Sequence, residues 1–297
     1  RLALRTRKRD ARATMKILIA PDKFKGTLNA REVAQNIAKA LLDVLPEAQI
    51  ESMPMADGGE GSVEAICDAR GCSWIECKAH DSLGREIDAR YGWIDREKLA
   101  VMEMSEAAGM RRLAESERNP IRATTFGVGE MILDASKRDA KEIIIGLGGS
   151  ATNDGGFGMA RALGFRFFSD AKELTGAVSD LQSLTKIEPP VVASVPPANS
   201  TMQPTPLPLQ LNTIAAVDVK NPLLGDKGAT RVFGPQKGAS KSDLDNLERA
   251  LTKLADVVTK EFGFDYRNFA GAGAAGGLGF GLLSFCGATI RPGFEVV

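Results

Sequence analysis

The chain is 297 residues long, with 43% apolar residues, 26% charged residues and no net charge. That length suits two domains or one large one, and the composition is that of an ordinary globular protein. Zero net charge gives no bulk attraction to nucleic acid or membrane. No stretch approaches 18 uninterrupted apolar residues, so no membrane-spanning helix is expected.

Residues 1–14 hold six basic residues (Arg1, Arg5, Arg7, Lys8, Arg9, Arg12) and one acid, Asp10. They read as a basic leader outside the fold. Met15–Ala20 reads as a buried strand. Residues 29–45 place Val33, Ile37, Ala40, Leu41 and Val44 at a helical period, and Pro46 ends the run. Residues 49–55 read as a second strand and 60–70 as a short helix. Residues 74–79, 86–94 and 99–104 alternate, as strands of a sheet with antiparallel parts do. A helix over 124–136, a strand over 143–146, a helical segment over 157–163 and a strand over 164–168 follow.

Residues 188–212 gather seven prolines and read as a surface loop. Order resumes with a strand over 213–217 and an amphipathic helix over 242–261 opened by a Ser or Asp cap. Residues 270–281 are a glycine and alanine tract. Cys67, Cys72, Cys77 and His80 lie close together, but their spacing lacks the paired short knuckles of a zinc site. With no secretory signal ahead of the body, these cysteines suit a reducing, cytoplasmic setting.

The chemistry concentrates at strand ends. Gly146-Leu-Gly-Gly-Ser-Ala-Thr-Asn-Asp-Gly-Gly156 follows an apolar strand and precedes a helix. Its glycines let backbone approach an anion, and the helix start behind it offers free N–H groups. Ala20-Pro-Asp-Lys-Phe-Lys-Gly26, Met55-Ala-Asp-Gly-Gly-Glu-Gly61 and Asp218-Val-Lys-Asn-Pro-Leu-Leu-Gly225 also sit just past strands, where open α/β folds bind ligands. Gly234-Pro-Gln-Lys-Gly238 comes soon after the last. Gly271-Ala-Gly-Ala-Ala-Gly276 is a formal G-x-G-x-x-G. It lacks the convincing preceding strand of a dinucleotide fingerprint, so a closely packed small-residue helix competes with a ligand-facing role. P-loop and protein-kinase signatures are absent, and His80 is the only histidine.

Together with Asp81-Ser-Leu-Gly-Arg85, Met104-Ser-Glu-Ala-Ala-Gly109 and Gly271–Gly277, these segments resemble the glycerate kinase family, in family order from Met15 to Val297. The resemblance implies an α/β fold of two domains. One is a discontinuous Rossmann- or flavodoxin-like parallel-sheet domain (15–75 plus 283–297). The other is an inserted mixed-sheet domain (76–282) carrying the Pro-rich loop. Family members continue beyond the point where this sequence ends. The resemblance therefore implies that the first domain is incomplete here, with a bare sheet edge.

It also implies transfer of the γ-phosphoryl group of ATP, with Mg²⁺, to D-glycerate. The product is 2-phosphoglycerate rather than 3-phosphoglycerate. A catalytically inactive nucleotide-binding fragment is the alternative, and a homodimer stays open. Phosphoryl transfer needs positioning and charge neutralisation. Gly148, Gly149, Ser150, Thr152, Asn153 and Gly155 are expected to hold phosphates. Lys23, Lys25 and Lys237 would neutralise them. Asp57, Asp154 or Asp218 would serve as base, with Asp57 and Asp154 near Mg²⁺. Arg85, Arg231 or Arg291 would grip the glycerate carboxylate.

Overall fold

The computed structural model describes residues 15–22, 24, 27–53, 55, 61–190 and 211–296. Two compact units divide the chain, residues 1–56 and 57–297.

In the first unit, β1 (Lys16–Ile19) and β2 (Gln49–Ser52) pair in parallel, with α1 (Ala30–Val44) between them in sequence. Asn29 starts the helix: its Oδ1 accepts from the Glu32 N–H at 2.8 Å, and Glu32 accepts from the Asn29 N–H at 2.9 Å. This reciprocal box satisfies two otherwise orphaned donors. Val33 and Ala34 are buried, whereas Leu18, Ile37, Val44 and Met53 are exposed.

The second unit is built on a six-stranded sheet, β11-β10-β6-β5-β4-β3. Its strands are β3 (Ser73–His80), β4 (Glu86–Ile94), β5 (Leu99–Glu103), β6 (Glu142–Gly146), β10 (Asn212–Ala216) and β11 (Thr289–Arg291). β5, β6, β10 and β11 run parallel, and β4 is antiparallel to both β3 and β5. β7 (Arg166–Ser169), β8 (Lys172–Glu173) and β9 (Lys186–Glu188) form a small antiparallel sheet.

Alternation along the strands assigns the two faces. Leu99, Val101, Ile144, Ile214 and Ala216 pack with Val63 and Ile66 of α2 (Ser62–Arg70). Ala100, Met102, Ile143, Ile145 and Ala215 join the larger core on the other face. That core includes residues of α4 (Phe126–Lys137), α5 (Phe157–Ala162), α6 (Ala229–Phe233), α7 (Lys241–Phe262) and α8 (Ala274–Cys286), and Ala107 and Ala108 of α3 (Ser105–Ala108). A side-chain period of two makes a strand buried on both faces read as a continuous apolar run, as Ile143–Ile145 does.

These pairings depart from the expected division. Helix α2 and strand β3 belong to the larger unit. Residues 283–297 do too, because β11 pairs in parallel with β10 and Phe285 lies in the main core. The leader 1–14 and residues 191–210 of the Pro-rich stretch lie outside the described residues; Lys186–Glu188 and Asn212–Ala216 flank that stretch as β9 and β10. No helix among the described residues is long and apolar enough to cross a membrane.

Candidate active site

Parallel strands in register bring their carboxyl ends to one edge. Glu103 ends β5 opposite Gly146 of β6, Gly146 pairs with Ala216 of β10, and Ala216 pairs with Arg291 of β11. The glycine-rich turn leaves this edge from Gly146. It first pairs with the chain after α3: the Met110 N–H donates to the Gly149 carbonyl at 2.8 Å, and the Ala151 N–H donates to the Ala108 carbonyl at 2.9 Å. Among the described residues, no acceptor meets the N–H groups of Gly148, Gly149 or Ser150. Gly148 and Gly149 are also the turn's partly exposed members. Gly149 has φ +73°, a conformation that favours glycine.

The rest of the turn faces inward, which corrects the expected picture of an open polar tip. Thr152, Asn153, Asp154 and Gly155 are all buried. Asp154, with no exposed surface, takes four hydrogen bonds. Its Oδ2 accepts from the Thr125 N–H and Oγ1 at 2.8 Å each and from the Gly158 N–H at 3.1 Å; its Oδ1 accepts from the Gly156 N–H at 3.1 Å. The Thr125 hydroxyl also accepts from the Met159 N–H at 2.9 Å. The start of α5, expected to offer free donors to a phosphate, is therefore closed by the protein's own carboxylate and hydroxyl. Burial pushes the Asp154 carboxyl upward against these bonds. Asp154 is thus a cap, unsuited to hold Mg²⁺, which keeps waters and needs open carboxylate oxygens. Among the described residues, no group of three or more His, Cys, Asp or Glu side chains could hold a metal ion.

Lys237 is corrected in the same sense. It ends a short turn (Pro235–Lys237) and is only 2% exposed. Its Nζ donates to Ser150 Oγ at 2.8 Å and to the Thr152 carbonyl at 2.6 Å. Burial lowers its pKa to about 7, with the Asp154 charge acting the other way. Lys237 holds the turn from behind. Asn153 Nδ2 donates to Thr230 Oγ1 at 3.0 Å, tying the turn to α6, while Thr152 Oγ1 and Asn153 Oδ1 are buried with no partner among the described residues.

The second glycine tract is the other support. The Gly155 N–H donates to the Gly276 carbonyl at 3.1 Å. Gly276 (φ +69°) approaches so closely that an added Cβ would sit 1.9 Å from the Thr152 carbonyl oxygen. A Cβ on Gly281 would meet Gly156 Cα at 2.7 Å. The formal G-x-G-x-x-G is therefore a packing surface against the first turn, with no strand before it and no dinucleotide-type helix start.

Of the other expected residues, Asp218 follows a strand and Arg291 ends one at this edge. Asp218, exposed just beyond β10, accepts from the Gly293 N–H at 3.0 Å. Arg291 is exposed at the end of β11. Arg85 bonds Asp81 at 2.5 Å and Glu117 at 2.7 Å, and Arg231 pairs with Asp245 on α7 at 2.8 Å. Both of the latter are thus committed to carboxylates of the protein itself. Lys23, Lys25 and Asp57 lie outside the described residues.

Sequence reasoning missed Glu103. It is buried at the end of β5, where its Oε1 accepts from the Gly61 N–H at 2.7 Å and the Val63 N–H at 3.3 Å, and its Oε2 accepts from Ser105 Oγ at 3.2 Å. Burial raises its pKa; the bonds from Val63, Gly61 and Ser105, and the Arg111 charge, oppose the rise. Glu103 caps the start of α2, immediately after the Asp57–Glu60 stretch. A lone carboxylate closing the apolar run Leu99-Ala-Val-Met102 was the available signal.

Comparison with known proteins decides the family. Residues 17–297 match the model of the glycerate kinase family. The chain belongs to that family. Among its relatives, the glycerate 2-kinase of Escherichia coli (strain K12) is 40% identical over 284 residues, 95% of this chain and 71% of that protein. The glycerate kinase of Bacillus subtilis (strain 168) is 41% identical over the same shares. A crystal structure from Salmonella typhimurium LT2, described under the name glycerate kinase 2, superposes with a TM-score of 0.80 at 37% identity. It covers 96% of this chain and 73% of that one. This glycerate kinase family member therefore carries its two glycine tracts, one braced on the other, on the two-domain α/β fold expected.

Proposed function

We propose that the protein transfers the γ-phosphoryl group of ATP to D-glycerate and forms 2-phosphoglycerate. The observation that carries this reading is the run of three N–H groups, Gly148 to Ser150, that meet no acceptor among the described residues, at the carboxyl edge of a parallel sheet. Backbone donors in a row form an anion-binding concavity. Lys237 holds Ser150 and Thr152 of the same turn, and Gly276 packs against its later residues, which favours a pre-organised anion site. The printed name of the Escherichia coli relative supports the choice of the 2-hydroxyl.

Asp218, exposed just beyond β10, and Asp57 are the candidates we propose for accepting the hydroxyl proton. With Asp154 removed from the set, these two are also the residues we propose for Mg²⁺, which supplies charge neutralisation across the transferring phosphates when bound. Lys23 and Lys25 are proposed to neutralise phosphate oxygens as point charges. Asp57→Asn is expected to lower kcat by roughly several hundredfold, the scale of lost general-base or metal-ligand function, with the melting temperature unchanged. Near-normal kcat would remove Asp57 from the mechanism.

The test of the reading is ADP release with ATP, Mg²⁺ and D-glycerate, followed by ³¹P NMR of the product. Glycerate-dependent ADP release with a doublet, from one proton on the phosphorylated carbon, supports 2-phosphoglycerate. A triplet moves the assignment to the 3-hydroxyl. Binding of ATP without turnover supports an inactive nucleotide-binding protein instead.

A further inference from the structure

Two of the four cysteines stand together, away from the glycine-rich turns. Cys77 and Cys286 are buried in the main core, whereas Cys67 and Cys72 lie on the other face of the sheet, with α2. Cys67 is in the last turn of α2. Gly71 ends that helix at φ +71°, a conformation in which glycine carries no Cβ penalty. The Gly71 N–H donates to the Cys67 carbonyl at 2.8 Å, and the Cys72 N–H donates to the same carbonyl at 3.2 Å. The second bond is the six-to-one closure of a Schellman turn. Such a turn sets the side chains of its two ends, here Cys67 and Cys72, against each other.

The sheet beneath leaves room for both sulfurs. Strand β4 presents Gly92 there, paired with Trp74 of β3 and Val101 of β5. A Cβ added to Gly92 would collide with Cys67 Sγ, and it would stand 3.3 Å from Cys72 Sγ and 3.4 Å from Cys72 Cβ. The two sulfurs therefore share one space over a single glycine, and each thiol is the other's hydrogen-bond partner. They differ in access: Cys67 is buried and Cys72 is partly exposed. Burial raises the pKa of both thiols. At Cys72 the bond from Cys67 and the Arg70 charge oppose the rise, whereas at Cys67 the neighbouring Cys72 adds to it. Cys72 is thus the thiol that meets a reagent first.

We propose that Cys67 and Cys72 form a reversible oxidation site, a dithiol that a low-molecular-weight disulfide closes into a Cys67–Cys72 disulfide. Cys72 loses its proton and its sulfur attacks one sulfur of the reagent. The reagent's S–S bond breaks, and one reagent thiolate leaves and takes up that proton. Cys67 then attacks Cys72 Sγ in the mixed disulfide, and its proton goes to the second departing reagent thiolate. Two protein thiols lose two electrons, and one reagent disulfide becomes two thiols. Excess small thiol runs the same steps backwards. The bridge ties the last turn of α2 to the residue that enters β3, while Glu103 holds the first turn through the Gly61 and Val63 N–H groups.

The experiment incubates the reduced, folded chain in a series of buffers of reduced and oxidised glutathione, with the fold followed by circular dichroism. Each sample is acid-quenched, its free thiols are alkylated in denaturant, and its peptides are mapped by mass spectrometry. The wild-type chain is expected to lose two thiols, recovered as one linked Cys67–Cys72 peptide, with Cys77 and Cys286 alkylated. Cys67→Ser is expected to stop at a mixed disulfide on Cys72. Cys72→Ser is expected to slow modification of Cys67 by at least about tenfold, since the buried thiol loses its exposed relay. Four free thiols in the folded wild-type chain in the most oxidising buffer overturn the proposal. So does a mixed disulfide on Cys72 that never closes, a bridge that takes in Cys77 or Cys286, or a Cys67–Cys72 bridge that forms only once the chain is unfolded. The wild-type peptide map decides the matter even where a variant does not fold. ATP and glycerate take no part in the measurement, so its result is independent of the kinase reading.

Discussion

The two glycine tracts, 146–156 and 271–281, look alike in sequence and do opposite things. In the first, Gly148 and Gly149 reach the surface, with N–H groups that no described residue satisfies. In the second, Gly276, Gly277 and Gly281 are buried, and their missing side chains make room for the backbone of the first. Glycine density therefore marks close backbone approach, and only the state of the neighbouring donors tells a ligand site from a packing site. The contrast continues inside the first tract. Its early residues are open, while its late residues are sealed by Asp154, Thr125 and Lys237.

The most forceful way to break this comparison is Gly276→Ala. A methyl 1.9 Å from a carbonyl oxygen, on a backbone with φ +69°, cannot be relieved by a flexible side chain. We expect a loss of more than about 4 kcal/mol, or no folded protein, by urea denaturation. A stable variant would mean the second tract does not brace the first.

Next comes Asp154→Asn, which sharpens the distinction between cap and catalyst. One side of an amide cannot accept the bonds that Thr125, Gly156 and Gly158 now donate. A destabilisation of about 3 kcal/mol is expected. A variant with wild-type stability and lost kcat would return Asp154 to the chemistry.

The smallest effect concerns pH. In the unfolded chain Lys237 keeps its proton up to about 10.5, while in the folded chain burial lowers its pKa to about 7. Below pH 7 both states are protonated and the full cost of the buried charge is present. Above it the folded state binds fewer protons, so this contribution to stability rises with pH, by up to about 1.4 kcal/mol per unit. Denaturation at pH 7 and pH 8 should show the rise in the wild-type chain and its absence in Lys237→Met. Equal pH slopes in the two chains would contradict a buried, titrating lysine.

Much of the fold was legible because periodicity carries it. Val33, Ile37, Ala40, Leu41 and Val44 marked α1, and the amphipathic run after Ser240 marked α7. The run's true cap is Ser240, boxed with Asp243, two residues ahead of the expected start. Strand β11 was missed, since three residues after a glycine and alanine tract have no period to read. Its pairing with β10 is what places residues 283–297 in the larger unit. The site was legible in location and illegible in orientation. A turn containing Ser150, Thr152, Asn153 and Asp154 says that polar groups gather there. It does not say which face outward, because that depends on Thr125, Thr230 and Lys237, 29 to 87 residues away in sequence from the turn residues they bond.

The most direct test of the central claim is an amide NMR titration of the ¹⁵N-labelled protein with Mg²⁺ and a non-hydrolysable ATP analogue. The account predicts large shifts at the Gly148, Gly149 and Ser150 N–H groups and little change at Gly276 and Gly277. Large shifts confined to Gly276 and Gly277, with Gly148–Ser150 unmoved, would contradict it.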